Sequence, residues 1–417
     1  MVLRNENDSI SEAMLYCHVG VRCGRMRADM EAIDWIKMEY PVATYVFFIM
    51  LGACIGSFLN VVIYRIPRGL SVGRPARSFC PQCRAAIPWQ LNIPLVSWVW
   101  LRGRSACCRK PISARYWVVE LVTAAMFGVV AYSFSYESLL TQLCICLWGA
   151  CLLALMVMDW EQMVVHTPLA MLAGGLGVAA AAMDPQLADP TGVWDGWVAG
   201  ADGLLLYFGS TQPLSGALWA LVGALGGYML FRVVALGGRL LFGRQRQSFA
   251  GAEAWHLRQV GEDIVLSVGG RDYLWTEIYS EEHTGIVLAA AAVDAAPGVK
   301  GRMVLEENAL VLPDGKRLKL EDYESMSGTC EGVCVQRAAM GSGDAWLALA
   351  IGAMCGWQGV IFALVGGSII GLVIALIMRV RRGVPMPFGP SLILAAWAWL
   401  LWGPQMMEAY LRLLGVS

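Results

Sequence analysis

The sequence predicts an all-α polytopic membrane protein of about eight transmembrane helices, with a small β-rich cytoplasmic insert. Three observations carry that prediction. Of the 417 residues, 57% are hydrophobic and 15% are charged, whereas soluble globular proteins carry about 25% charged residues. Apolar runs close to the ~20 residues of one bilayer crossing recur along the chain. One stretch, 244–337, breaks that pattern with polar, alternating segments.

Residues 1–41 carry mixed charges, lack the apolar core of a signal peptide, and read as an N-terminal extension, with Met30 and Met38 as alternative starts. The first apolar run, 42–63, is expected to be a permanent span, because it continues through Gly56-Ser57 and Asn60 with no small-residue cleavage site. Residues 64–114 form a Cys/Arg-rich loop, and 115–243 hold further spans at 115–134, 139–158, 166–183 and 214–236. Residues 338–417 hold spans at 345–358, 359–378 and 388–403. Only Gly356-Trp357-Gln358-Gly359 separates the 345–358 and 359–378 runs, so they form either a tight hairpin or one long helix.

Orientation follows from the excess of Lys and Arg in cytoplasmic loops. Arg65, Arg68, Arg74, Arg77, Arg84, Arg102, Arg104, Arg109, Lys110 and Arg115 place the first long loop in the cytoplasm. From Thr167 to Phe231 there is no Lys or Arg, and Asp184, Asp189, Asp195 and Asp202 mark the 184–213 loop as outward-facing. Arg379, Arg381 and Arg382 return the chain to the cytoplasm.

The 244–337 stretch contains Ile264–Val268, Gly285–Leu288 and Met303–Leu305, separated by turn signals at Gly269-Gly270, Pro297-Gly298 and Pro313-Asp314-Gly315. Short alternating runs bounded by such signals read as strands. No catalytic pattern stands out there: His256 and His283 are isolated and read as surface residues, and Cys330 and Cys334 lie four apart without further ligands nearby.

Two acids stand out. Asp159 closes the 139–158 run, and Asp344, in Gly341-Ser342-Gly343-Asp344, opens the long apolar run Leu347 to Met378. Acids at the edge of a bilayer are costly and mark functional sites. The orientation above puts both at the cytoplasmic face. Two close carboxylates cannot both ionise in a low dielectric: one keeps its proton as the acid, the other activates water. That chemistry needs no metal. The flanking glycines let the chain enter a helix sharply, placing Asp344 in a first turn where the dipole favours an anion. The plainer alternative is that Asp344 caps a helix and Asp159 is an interfacial acid. Glu161 falls on another helix face or in the following loop and reads as peripheral.

A second constellation is Cys80-Pro81-Gln82-Cys83 with Cys107-Cys108. Paired cysteines at this spacing resemble a structural zinc site that staples a loop too small for its own core; the alternative is four reduced thiols. A regular second half ending at Cys108 needs cysteine at 105, where Ser105 stands. The scattered cysteines inside apolar runs do not form an extracellular disulfide framework, and the net charge of −1 argues against a nucleic-acid partner.

Several blocks resemble type IV prepilin leader peptidases, membrane aspartic peptidases of the Gly-x-Gly-Asp type. They are Gly56–Pro67, Cys80-Pro81-Gln82-Cys83, Asn92–Trp98, Arg102-Gly103-Arg104, Pro111–Tyr116 with Glu120, Gly341–Asp344, Gly356-Trp357-Gln358 and Pro387-Phe388-Gly389-Pro390. The resemblance implies a multi-pass protein of the bacterial inner membrane. It would cleave the basic leader of type IV prepilins or type II secretion pseudopilins at the cytoplasmic face. It also implies possible N-methylation from S-adenosylmethionine, for which no Gly-rich nucleotide fingerprint is visible. Asp159 and Asp344 match the two catalytic aspartates; Cys80, Cys83 and Cys108 match three of four loop cysteines, with Cys107 a candidate fourth. The Arg-rich loop suits lipid headgroups better than a basic leader.

The sequence departs from the family pattern in four ways. Trp346 replaces a usual lysine, His166-Thr167 a usual Pro-Asp pair, and Ser105 a cysteine, while 184–213 and 244–337 look inserted. Long loops cost little entropy to close, so the insertions need not disturb the acid pair and could gate or recruit substrate. Two readings compete with the peptidase. A silent membrane scaffold has no reason to keep both acids. A proton-coupled transporter predicts internal repeats, and none are seen.

Overall fold

The computed structural model describes residues 37, 39–74, 78–80, 82–188, 212–242, 244–260, 263–275, 285–296, 298–323, 325–336, 341–379 and 386–413. Outside them lie the readings of the N-terminal extension up to 36, of Arg77, of the acidic loop 189–211, of His283 and of Arg381 and Arg382. The chain divides into two compact units: residues up to Tyr228 together with Trp346 onward, and Met229–Ala345.

The helices are α1 (Pro41–Arg65), the short α2 (Val96–Trp100), α3 (Ala114–Ser133), α4 (Leu139–Gln162), α5 (Thr167–Met183), α6 (Gln212–Phe242), α7 (Ser342–Ile377) and α8 (Gly389–Leu413). Among the described residues five helices are long and apolar enough to cross a membrane, those of α1, α3, α4, α6 and α7; α5 is apolar but shorter. Sequence boundaries for the apolar runs are met within a few residues except at three C-terminal ends, one of them that of α6, which runs to Phe242 rather than 236. The α4 helix runs through Asp159 to Gln162 rather than stopping at 158, and α8 continues through Pro404 to Leu413. The α4 extension ends where Met163 takes a left-handed conformation (φ 54°) and its amide bonds the Asp159 carbonyl, a capping geometry usually left to glycine.

The hairpin-or-long-helix question is answered inside α7. Gly356 (φ 66°, ψ −175°) interrupts it. A Cβ on Gly227 of α6 would stand 2.6 Å from the Ala348 carbonyl oxygen and 3.0 Å from Val360 Cγ2. A straight helix from 348 to 360 would separate those groups by about 18 Å, so the chain reverses at Gly356. Only glycine suits that φ, and a Cβ there would also meet the Ala188 carbonyl oxygen at 1.9 Å. Both arms lie on α8. In the first arm Cys355 Sγ faces the Ala396 carbonyl oxygen. In the second, Gly367 and Gly371 approach Leu392 and Ser391.

Elsewhere in this unit helices meet through residues with little or no side chain. Gly52 and Gly56 of α1 would place a Cβ 2.8 Å from α3 backbone, and Gly177 of α5 one 2.9 Å from Ala353. Close backbone approach through small residues is how helices associate where lipid removes the hydrophobic drive between them. Buried Trp148 of α4 donates from Nε1 to the Ala350 carbonyl of α7 (3.0 Å).

The second unit contains eight antiparallel strands in the order β3-β2-β1-β8-β4-β5-β6-β7. They are β1 (Arg244–Val260), β2 (Asp263–Val268), β3 (Arg271–Leu274), β4 (Gly285–Val293), β5 (Lys300–Leu305), β6 (Ala309–Val311), β7 (Arg317–Lys319) and β8 (Ser325–Gln336). All three expected strand segments fall within β2, β4 and β5. The turn glycines Gly269, Gly270, Gly298 and Gly315 all have positive φ. Trp255, Leu266, Ile286, Leu288, Met303, Leu305 and Leu310 fill the interior. His256 is exposed, as expected, while Cys330 is buried in that core and Cys334 half-buried.

Candidate active site

The last turn of α4 presents Asp159, which is buried at 6% exposure. Its Oδ2 accepts a hydrogen bond from the Gly389 amide (3.0 Å), the first residue of α8. The unpaired amides at a helix start point outward and favour an anion. A Cβ on Gly389 would lie 2.5 Å from Asp159 Oδ2 and 2.9 Å from Leu347 Cδ1. The Asp159 carboxyl, the start of α8 and Leu347 of α7 therefore converge on one point, and the absence of a side chain at 389 creates the room.

Asp344 lies in the first turn of α7, as the Gly-x-Gly-Asp spacing predicts, and is buried at 8% exposure. Its amide bonds the Gly341 carbonyl (3.2 Å). Leu347 follows it by about one helical turn. Trp346, standing where the resembling family has lysine, stacks on Tyr228 (centroids 5.0 Å, 57°).

Of the two expected placements for Glu161, the helix is the one found. Glu161 is within α4, and both its oxygens meet Arg115 Nη1 (2.7 and 2.5 Å) at the base of α3. That ion pair ties the end of the Arg-rich loop to the end of α4 that bears Asp159. The signal was available, since Arg115 belongs to one of the blocks quoted above, but its partner could not be read from spacing. Gly389 was likewise visible only as part of such a block. Asn60 and Arg65, from the first block, are buried. Asn60 Nδ2 bonds the Tyr116 carbonyl (3.0 Å), joining α1 to α3, and Arg65 Nη1 the Val72 carbonyl (2.8 Å), joining α1 to the loop. Glu120 accepts from the Leu95 amide (2.7 Å), which holds Leu95 at φ 62°.

The four loop cysteines come together. The sulfurs of Cys80, Cys83, Cys107 and Cys108 all lie within 4.8 Å of one another, with Cys80–Cys108 at 3.8 Å and Cys83–Cys107 at 3.2 Å. Four thiolates around zinc at about 2.3 Å would stand about 3.8 Å apart, so the donor set fits a small soft cation. Burial raises the Cys80 thiol, but hydrogen bonds from the Cys83 and Gln82 backbone and from Ser105 and Cys107 outweigh it and bring it to about 6.

Buried acids stand at the end of one apolar helix and in a Gly-x-Gly-Asp turn at the start of another, among helices long and apolar enough to cross a membrane. The Bacterial Peptidase A24 N-terminal domain matches residues 50–134 and the Type IV leader peptidase family matches residues 307–376. A "Prepilin leader peptidase/N-methyltransferase" of Dickeya chrysanthemi is 31% identical over 305 residues, covering 65% of this chain and 95% of that protein. Its namesake in Pseudomonas aeruginosa is 26% identical over 413 residues, 93% of this chain and 99% of the relative. The Klebsiella pneumoniae protein of the same name is 46% identical, but over 100 residues, 22% of this chain and 43% of its own length. No solved structure matches. The chain belongs to the type IV leader peptidase family.

Proposed function

We propose that this protein is an aspartic endopeptidase that removes the leader of type IV prepilins or type II secretion pseudopilins, with Asp159 and Asp344 as the catalytic pair. One observation supports this above the rest: Asp159, oriented by the Gly389 amide, lies beside Leu347, one turn beyond Asp344 in the same helix. Such a pair shares a proton. The charged member takes a proton from the attacking water, and the protonated member donates to the scissile carbonyl. No metal is needed for that chemistry.

The hairpin at Gly356, the short α5 and the long α8 extend the five long spans to eight crossings in this reading. The Arg-rich loop, joined to the Asp159 end of α4 by Arg115–Glu161, and Arg379 beyond the second arm of α7 share one side. The positive-inside rule makes that side cytoplasmic, in a bacterial inner membrane, with lipid headgroups against the loop and no nucleic acid bound. To this reading belongs the domain plan expected from the sequence, with 244–337 as a soluble insert. The relatives' names also carry N-methyltransferase. We extend that activity to this chain with S-adenosylmethionine as methyl-donor substrate and no site assigned to it. Zinc held by Cys80, Cys83, Cys107 and Cys108 would be structural, since four thiolates leave no open position for substrate.

The test is cleavage of a co-expressed prepilin by wild type, Asp159→Asn and Asp344→Asn. Each variant should lose roughly 10²–10⁴-fold or more of the rate. Full processing by either would end the proposal.

A further inference from the structure

The last turn of α4 is poorly built to stand alone. It carries two acids, Asp159 and Glu161, and no basic residue. Acids at a helix C-terminus meet the negative end of its dipole. The residue that closes the turn, Met163, sits in the left-handed region (φ 54°), a conformation that is costly for any residue with a Cβ. By these local rules residues 159–162 should fray. They are helical nonetheless, and Asp159 at their head is buried.

Two contacts from other helices hold the turn. One is the Gly389 amide on Asp159 Oδ2 (3.0 Å). The other is Arg115 Nη1, which meets both Glu161 oxygens (2.7 and 2.5 Å). Arg115 is equally ill suited to its own helix. It stands in the first turn of α3, at the positive end of the dipole, and no acid shares that turn. Each charge therefore opposes its own helix and suits the end of the other. Arg115 is fixed from behind. Ser113 Oγ accepts from its amide (3.3 Å), its guanidinium lies over the Tyr116 ring (4.9 Å), and the Tyr116 carbonyl is bonded by Asn60 of α1 (3.0 Å).

We propose that Arg115 and Glu161 are a positioning pair for prepilin cleavage, clamping the last turn of α4 so that Asp159 keeps its place at the start of α8. The inference rests on the reading of Asp159 as a catalytic residue. Arg115 and Glu161 act through the backbone of that turn and not on the substrate. Their side chains are 23% and 32% exposed, and ion pairs open to water add little to global stability. The effect is local. A loosened turn displaces Asp159, and a misplacement of about 1 Å at a reacting group can cost roughly 100-fold in rate. Substrate binding does not pass through the pair, so its loss lowers kcat and leaves KM in place.

The experiment measures kcat and KM on a purified prepilin, and thermal unfolding, for the full-length protein in detergent. It compares wild type with Glu161→Gln, Arg115→Ala, the two combined, the charge swap Arg115→Glu/Glu161→Arg, and Asp159→Asn. Glu161→Gln and Arg115→Ala should each lower kcat roughly 10–100-fold, with KM and the unfolding temperature unchanged. The combined variant should be no slower than the worse single one, as for partners in one interaction. The swap should recover most of the rate, because both charges then also suit their own helix ends. Glu161→Gln keeps the test open should Arg115→Ala disturb the loop. With Asp159→Asn inactive, wild-type kcat in Glu161→Gln, a loss confined to KM, or a swap as slow as the single variants would each overturn the proposal. Wild-type cleavage by Asp159→Asn would instead remove the peptidase reading beneath it.

Discussion

In the helical unit, close contacts are made by residues that lack side chains. A Cβ on Gly216, Gly223 or Gly352 would stand 1.9, 2.4 or 2.1 Å from a facing carbonyl oxygen. In the β insert the interior is filled instead by large apolar groups, with Trp255, Leu266, Ile286 and Met303 wholly buried. The difference is the one that two solvents, water and lipid, would produce. A sheet folded in water gains from every apolar group it hides, whereas helices in lipid gain chiefly from fit and from buried polar contacts such as Trp148 to Ala350. The blocks quoted for the family all lie in the helices and their loops, where a single added methyl group meets backbone. The insert is stabilised by bulk, which many sequences can supply.

The contrast also governs what could be read from residues alone. Hydropathy located the helices because each crossing needs its own apolar length, and Asp344 in a first turn followed from the glycines before it. The Gly356 reversal did not follow, since hydropathy is blind to direction and one left-handed glycine decides it. The α4 extension through Asp159 was hidden because Asp159, Glu161 and Gln162 look like the end of a span; Met163 in the left-handed region and the Arg115 ion pair carry the helix further. In the insert, β2, β4 and β5 announce themselves as apolar alternations between glycine turns. The 17-residue β1 does not, because its Arg244–Ala254 half is polar and small, and it is placed by pairing with β2 and β8. Gly389 mattered through an atom it lacks, which no spacing argument detects.

Three substitutions sharpen the comparison. Trp255→Ala should be the most damaging to stability. It empties the centre of the sheet and breaks the Nε1 bond to the Ala292 carbonyl (3.2 Å), at a cost of about 3–5 kcal/mol. Limited proteolysis should then cut within 244–336 while the helices stay protected; simultaneous loss of the helices would mean that the two units do not fold by separate rules. Gly389→Ala comes next and should spare the fold. The atoms it meets are the free ends of the Leu347 and Asp159 side chains, and Asp159 can turn aside only by giving up the Gly389 amide. A hydrogen bond to a carboxylate is worth about 1.5–3 kcal/mol, so prepilin cleavage should fall roughly 10–100-fold with expression unchanged. Unaltered cleavage would remove Gly389 from the site. Trp346→Leu should be mildest. It loses the stack on Tyr228, about 0.5–1.5 kcal/mol, seen as a small drop in resistance to detergent denaturation with cleavage preserved. A large fall in cleavage would mean that this tryptophan takes over the work of the lysine it replaces.

The shared proton is tested most directly by a double-mutant cycle on the cleavage rate, with Asp159→Asn, Asp344→Asn and both together in the purified protein. Groups that act as one unit are grossly non-additive, so the double variant should be no slower than the worse single variant. Losses that multiply, or a single variant that cleaves at the wild-type rate, would mean that the two carboxyl groups do not work as a pair.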